Sequence, residues 1–216
     1  MANLKRLSLL TAVALAVVGY AAVPASADIT LGDGGPVYSD CVPGGSKQDC
    51  PIKFVRSGPA TTFTAGSTVI TCQTSNIDGV MDGDATTGRP ASATLNFSWS
   101  QCTTNSLVGC SVGSITGVPF NILEGNAPSF TFVNTATFGT TITCAGVFVC
   151  NMSSNPATTP VTIEVDQASQ VATINDTVAM TGSIGCPASG TGTWRADYLI
   201  TGDADEDLDL SAGGGP

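Results

Sequence analysis

Residues 91–102 read Ala-Ser-Ala-Thr-Leu-Asn-Phe-Ser-Trp-Ser-Gln-Cys, and apolar and polar side chains alternate without a break from Ala93 to Ser100. Successive side chains of an extended chain point to opposite faces. Ala93, Leu95, Phe97 and Trp99 therefore share one side, and Thr94, Asn96, Ser98 and Ser100 the other. A helical period would scatter both sets around an axis, so the stretch predicts a half-buried antiparallel strand. Residues 52–56, 68–73, 108–116, 118–123, 130–133, 140–149, 161–165, 171–175, 178–184 and 194–200 follow the same grammar, separated by Gly- and Pro-bearing breaks such as Gly58-Pro59 and 155–160. Beyond residue 27 no segment shows helical periodicity with caps. Short strands spaced about 8–12 residues apart predict an all-β fold, either an antiparallel two-sheet sandwich of jelly-roll or Ig-like kind or a barrel.

The first 27 residues stand apart. Lys5 and Arg6 precede an almost wholly apolar run from Leu7 to Val23, and Ala25-Ser26-Ala27 has the small-x-small form of a signal-peptidase site. This predicts a cleaved signal helix, a secreted extracellular product that begins at Asp28, and no membrane segment afterwards. The expected organisation is a signal peptide (1–27), an N-terminal arm with a disulfide loop (28–59), a β-sandwich domain (60–201) and an acidic, Gly-rich tail (202–216). All 17 acidic residues but only five of the seven basic ones lie beyond Ala27, so that part carries a formal charge of −12. Such a balance disfavours nucleic acid and anionic lipid, which need neutralising cations.

The chain has eight cysteines and no histidine. The missing imidazole removes Ser-His-Asp and Cys-His catalysis, histidine metal ligation and the ordinary pH switch. Cys41, Cys50, Cys72, Cys102, Cys110, Cys144, Cys150 and Cys186 form an even set without C-x-x-C spacing, which reads as four disulfides rather than zinc. Cys41–Cys50 and Cys102–Cys110 are plausible local pairs, each flanking a short loop. If residues 144–150 form one strand, Cys144 and Cys150 lie ~20 Å apart and take Cys72 and Cys186 instead. A turn at Ala145-Gly146 would restore a local Cys144–Cys150 pair. A Cys72–Cys102 staple between neighbouring strands is the rival to the second local pair.

The strand before Cys72, the aromatic-x-x-Cys end from Trp99 to Cys102, Gly185-Cys186-Pro187 and the strand Trp194-Arg195-Ala196-Asp197-Tyr198 together make a pattern. It resembles a group of exported, disulfide-bonded β-sandwich proteins of actinobacteria, over roughly residues 68–201. The resemblance implies the fold and the compartment, and brings no catalytic residue with it.

Few residues suggest chemistry. Asp78, Asp82 and Asp84 sit in a Gly-punctuated stretch, residues 78–90, that reads as a loop. Gathered on a tight turn they could hold Ca²⁺, but the EF-hand order is not met and a solvated turn, where Asp and Gly are favoured for backbone reasons, is the preferred reading. Asp203, Asp205, Asp207 and Asp209 recur at every second residue, an acidic stripe or a frayed tail. Trp99, Trp194 and Tyr198 would make a carbohydrate platform if exposed, but their parity places them in the core. Glu124, Glu164 and Asp166 are the carboxylates from which a glycosidase-type pair could be drawn. No cofactor motif is present, so none is expected. Three functions remain open: a non-enzymatic structural or surface protein that self-associates, an extracellular module that binds a protein or glycan through its loops, and a carboxylate hydrolase.

Overall fold

The computed structural model describes residues 28–29, 50–83, 90–124, 129–145, 148–166, 169–184, 186, 190–201 and 212–213. The signal helix, Cys41, Asp84 and the Asp203–Asp209 stripe lie outside the described residues. Every described element is a strand: β1 (Asp28–Ile29), β2 (Cys50–Arg56), β3 (Thr61–Ala65), β4 (Thr68–Gly83), β5 (Pro90–Thr104), β6 (Gly109–Val112), β7 (Ile115–Glu124), β8 (Ser129–Asn134), β9 (Phe138–Cys144), β10 (Phe148–Ser154), β11 (Thr162–Asp166), β12 (Val171–Ile184), β13 (Gly190–Thr201) and β14 (Ala212–Gly213).

The pairings are all antiparallel, and twelve of the strands form one sheet that closes on itself. Four long strands set the architecture: β4 pairs β5, and β12 pairs β13. Each long strand meets two short neighbours in succession. Along β5, residues 92–97 pair β7 while Cys102 and Thr103 pair β6. Along β12, residues 171–173 pair β11 and residues 179–184 pair β10. Similarly β2 and β3 follow one another along both β13 and β4. The result is a barrel of two tiers. One ring runs β5-β7-β8-β11-β12-β13-β2-β4, the other β5-β6-β9-β10-β12-β13-β3-β4, eight strands in each. Of the two architectures the strand pattern allowed, this is the closed one. Closure removes the free edges that an open sheet must otherwise protect.

Several boundaries differ from those expected. Residues 78–83 are not a loop but the second half of β4. Residues 50–56, assigned to the arm, are barrel strand β2, which pairs β13 and β4. Residues 140–149 split into the β9–β10 hairpin, with Cys144 opposite Phe148. The 108–116 strand breaks at Gly113-Ser114 rather than at Gly117, which stays inside β7 at φ 68°. Ala212–Gly213, expected to fray, pair with Asp28–Ile29.

The interior is aromatic. Phe97 stacks on Trp99 and Phe138 and meets Trp194 edge-on at 5.4 Å between centroids. Phe63 reaches both tryptophans, and Phe54, Phe130, Phe132 and Tyr198 fill the other tier. Apolar residues face inward and Thr, Ser, Asn, Asp and Glu face outward, the reverse of a barrel that meets lipid. One pair of strands changes face partway. In β5 the buried positions are Ala93, Leu95, Phe97 and Trp99, then Cys102 and Thr104; in β4 they are Ile70 and Cys72, then Ser75 and Ile77. The register runs through unbroken from Cys72↔Cys102 to Ser75↔Trp99, so both strands switch together, at Gln101, whose φ is 54°.

Candidate functional site

The switch between tiers leaves seams, where a long strand has left one short neighbour and not yet met the next. Side chains take over the unmet backbone groups there, as buried N–H and C=O groups require. Asp176 lies on β12 between the β11 and β10 pairings; its Oδ2 accepts the Thr162 N–H at 2.6 Å, and both its oxygens accept from the Thr162 hydroxyl at 2.9 and 3.0 Å. Burial pushes the Asp176 carboxyl up from the ordinary range; the two Thr162 hydrogen bonds oppose this, and the nearby Glu164 charge adds to it. Asn134 accepts the buried Val161 N–H at 2.7 Å, and Asn96 accepts the Gly117 N–H at 2.7 Å. Inside the barrel Ser75 Oγ and Tyr198 Oη share a hydrogen bond of 2.6 Å. Burial, partly offset by Ser75, pushes the Tyr198 hydroxyl up to about 12. The neighbouring Thr61 hydroxyl lowers it as well and the Asp197 charge raises it, although Thr61 Oγ1 meets strict hydrogen-bond geometry with no described atom.

One seam is open to the outside. Between β2 and β3, residues 57–60 cross over β13: the Ser57 N–H donates to the Asp197 carbonyl at 2.8 Å, Gly58 turns at φ 74°, and Arg56 Nη1 donates to the Gly58 carbonyl at 2.8 Å. Below this crossing lies a cleft of 390 Å³ lined by Pro59, Ala60, Thr62, Thr173, Ile174, Asn175, Arg195, Ala196 and Asp197. Its polar groups stand in cross-strand rows. Arg195 sits between Thr62 on β3 and Asn175 on β12, and Asp197 stands opposite Thr173, whose hydroxyl donates to Asp197 Oδ1 at 3.1 Å. Thr173 is in turn opposite Glu164. Arg195 is exposed and forms no hydrogen bond or ion pair with a described residue. The wall is thus polarised: a cation with neutral donors in one row, carboxylates in the next. A second cleft of 300 Å³ adjoins at Thr173 and holds Ser129, Glu164, Asp166 and Ser169.

The carboxylates weighed for catalysis fall on this wall. Glu164 and Asp166 are both exposed on the outward face of β11, two residues apart. That spacing is ~6–7 Å along a strand, but the two stand side by side on an open surface. An acid and a base that cleave a glycosidic bond must face each other across it. Glu124 is separated from β11 by β8. The Ca²⁺ candidates are not gathered either. Asp78 and Asp82 are four residues apart on β4, a separation of ~13 Å along a strand, and Asp78 stands opposite Lys53. Among the described residues no three metal-ligating side chains come together. Trp99, Trp194 and Tyr198 lie in the core, not on a platform.

The described disulfides are Cys72–Cys102, Cys110–Cys144 and Cys150–Cys186. The local Cys102–Cys110 pair does not form although the two residues are directly opposite. Cys72, Cys102, Cys110 and Cys144 occupy one row across four strands, and pairing outward from the centre satisfies all four, whereas the central pair would strand two. The chain does turn after Cys144, but the hairpin puts Cys144 opposite Phe148 and Cys150 opposite Ile142, so those two cysteines are offset. The Cys41–Cys50 bridge lies outside the described residues. Three disulfides, their sulfurs largely inside, fit folding in an oxidising compartment.

Sequence reasoning missed Asp176, Asn134, Ser75 and the role of Arg195. Residues 175–177, Asn-Asp-Thr, look like a turn; only the passage of β12 between two partners makes Asp176 a backbone substitute. No family model, curated protein or solved structure matches this chain.

Proposed function

We propose that this is a secreted, non-enzymatic surface protein that works as a binding module, with the outer-wall cleft at Arg195 as its contact site. The observation that carries the reading is Arg195, an exposed cation on a strongly acidic chain that pairs with no described residue and is flanked by Thr62, Asn175 and Asp197. An arginine held by a rigid strand suits a carboxylate or sulfate, which it meets through two parallel N–H groups. The adjoining Asp197, Thr173 and Asn175 suit hydroxyls. The ligand class is a hydroxylated molecule with one anionic group, such as an acidic sugar. The disulfides and the apolar signal-like leader favour secretion. The structural alternative, self-assembly by strand addition, loses support in the barrel, whose two tiers both close; the two-residue strands β1 and β14 form a separate sheet that keeps its edges.

The test is calorimetric titration of the 28–216 protein with uronic-acid oligosaccharides, alongside light scattering. Binding that weakens with salt and falls roughly tenfold or more in Arg195→Ala is expected, with the protein monomeric. No binding, or binding indifferent to Arg195, refutes the cleft; filaments would restore the structural alternative.

A further inference from the structure

In the ring β5-β6-β9-β10-β12-β13-β3-β4, four of the cysteines form a row in which each is register-paired with the next: Cys72↔Cys102, Cys102↔Cys110 and Cys110↔Cys144. Directly opposite residues of antiparallel strands project to one face, with Cβ atoms about 4.5–5.5 Å apart. The two inner members, Cys102 and Cys110, therefore each have a cysteine neighbour on the side away from their disulfide partner. The bonds close loops between strands 30 and 34 residues apart and hold β4 to β5 and β6 to β9, whereas a bond between the central pair would staple only the local turn between β5 and β6. Three members are buried, Cys72 and Cys144 fully and Cys102 with 4% exposed; Cys110 is the partly exposed one.

We propose that this row is a thiol–disulfide exchange device, in which opening of the outer bond at Cys110 moves the staple to Cys102–Cys110. A small external monothiol enters at Cys110. Its thiolate attacks Cys110 Sγ, the Cys110–Cys144 bond breaks, and the electron pair leaves on Cys144, which takes up a proton. A second thiolate attacks the external sulfur, freeing Cys110 as a thiolate and leaving the two external thiols joined as their disulfide. The Cys110 thiolate then attacks Cys102 Sγ. The Cys102–Cys110 bond forms, the Cys72–Cys102 bond breaks, and Cys72 leaves as a thiolate that is protonated. Two external thiols are oxidised, and one of the two protein disulfides is reduced to a pair of thiols. Displacement at sulfur runs in line with the breaking bond, and the register places Cys110 beside Cys102 on the side away from Cys72, the side from which such an attack must come. The exchange releases the staples between β4 and β5 and between β6 and β9 and leaves Cys150–Cys186 as the long-range bond described in that ring.

The direct test needs no reductant. Cys144→Ser in the whole chain leaves Cys110 as the single unpaired member of the row, beside an intact neighbouring bond. After incubation at mildly alkaline pH, exchange is stopped with acid, the protein is denatured and alkylated in acid with a maleimide, and its peptides are mapped by mass. Exchange puts the label on Cys72 as well as Cys110, in roughly a tenth or more of molecules, with a matching Cys102–Cys110 linked peptide. Label on Cys110 alone overturns the proposal. Should this variant not fold, the wild-type chain is titrated with reduced glutathione under native conditions. Recovery of Cys102–Cys110 with Cys72 and Cys144 labelled supports exchange, and persistence of Cys72–Cys102 until the protein unfolds refutes it.

Discussion

Replacing Tyr198 by Phe removes one oxygen from the centre of the barrel and leaves Ser75 Oγ, in a residue 1% exposed, without its 2.6 Å partner. A buried hydroxyl that loses its partner costs about 1–3 kcal/mol, because water is not there to replace it. Ser75→Ala strands the tyrosine hydroxyl in the same way. The double variant removes both polar groups, so its cost should fall short of the sum of the singles by about 0.5–3 kcal/mol. The same pair has a pH signature. Burial holds the folded Tyr198 hydroxyl at about 12 against 10.0 when free, so the folded state favours the neutral form. Below pH 10 both states are protonated and stability is unaffected. Above it the unfolded chain ionises first and stability falls through pH 12, by roughly 2–3 kcal/mol for a shift of this size. Urea unfolding followed by tryptophan fluorescence between pH 8 and pH 12 reads both effects. Tyr198→Phe should be less stable than wild type at pH 8 and should lose less as the pH rises. Strictly additive singles, or an alkaline decline in Tyr198→Phe as steep as in wild type, would refute the assignment of this pair as the buried polar link at the seam.

Gly192 is buried on β13, and a Cβ there would run into the Thr64 carbonyl and stand 2.7 Å from Met180 Cγ. Gly192→Ala is expected to cost about 1–3 kcal/mol through overpacking, seen as a lowered Tm by circular dichroism, and an unchanged Tm would show that β3 and β13 are not so closely apposed. For Asp176 the folded carboxyl is raised above its ordinary value, so its stabilising contribution is present at low pH and is lost as pH rises through the folded pKa. Asp176→Asn removes that loss; its stability relative to wild type should rise from pH 3 to pH 6, and a flat difference would mean that burial does not control this carboxylate.

The strand inventory was legible because its signal is local. Ala93, Leu95, Phe97 and Trp99 face the core as their alternation says, and so do Trp194, Ala196, Tyr198 and Ile200. Residues 78–83 were hidden because Asp and Gly have a turn composition, although here they lie in the second half of a sixteen-residue strand held between β2 and β5. Cys102 sits in the core only because β4 and β5 switch faces at Gln101; by parity with Trp99 it belongs outside. Of the site, Arg195 and Asp197 could be placed on the outward face of a strand, but not what stands beside them. Thr62 and Asn175 come from segments 133 and 20 residues away.

By itself the sequence determined an all-β, antiparallel chain with an aromatic core, cysteines in even number and no imidazole chemistry. These follow from side-chain periodicity and composition, which act over a few residues or over the whole chain at once. The closure of the barrel, the seams with Asp176 and the Ser75–Tyr198 pair, the neighbours of Arg195 and the choice of cysteine partners were decided by the tertiary structure. Each depends on which distant strand lies alongside. That choice is made by packing and register between segments tens of residues apart, and no local pattern encodes it.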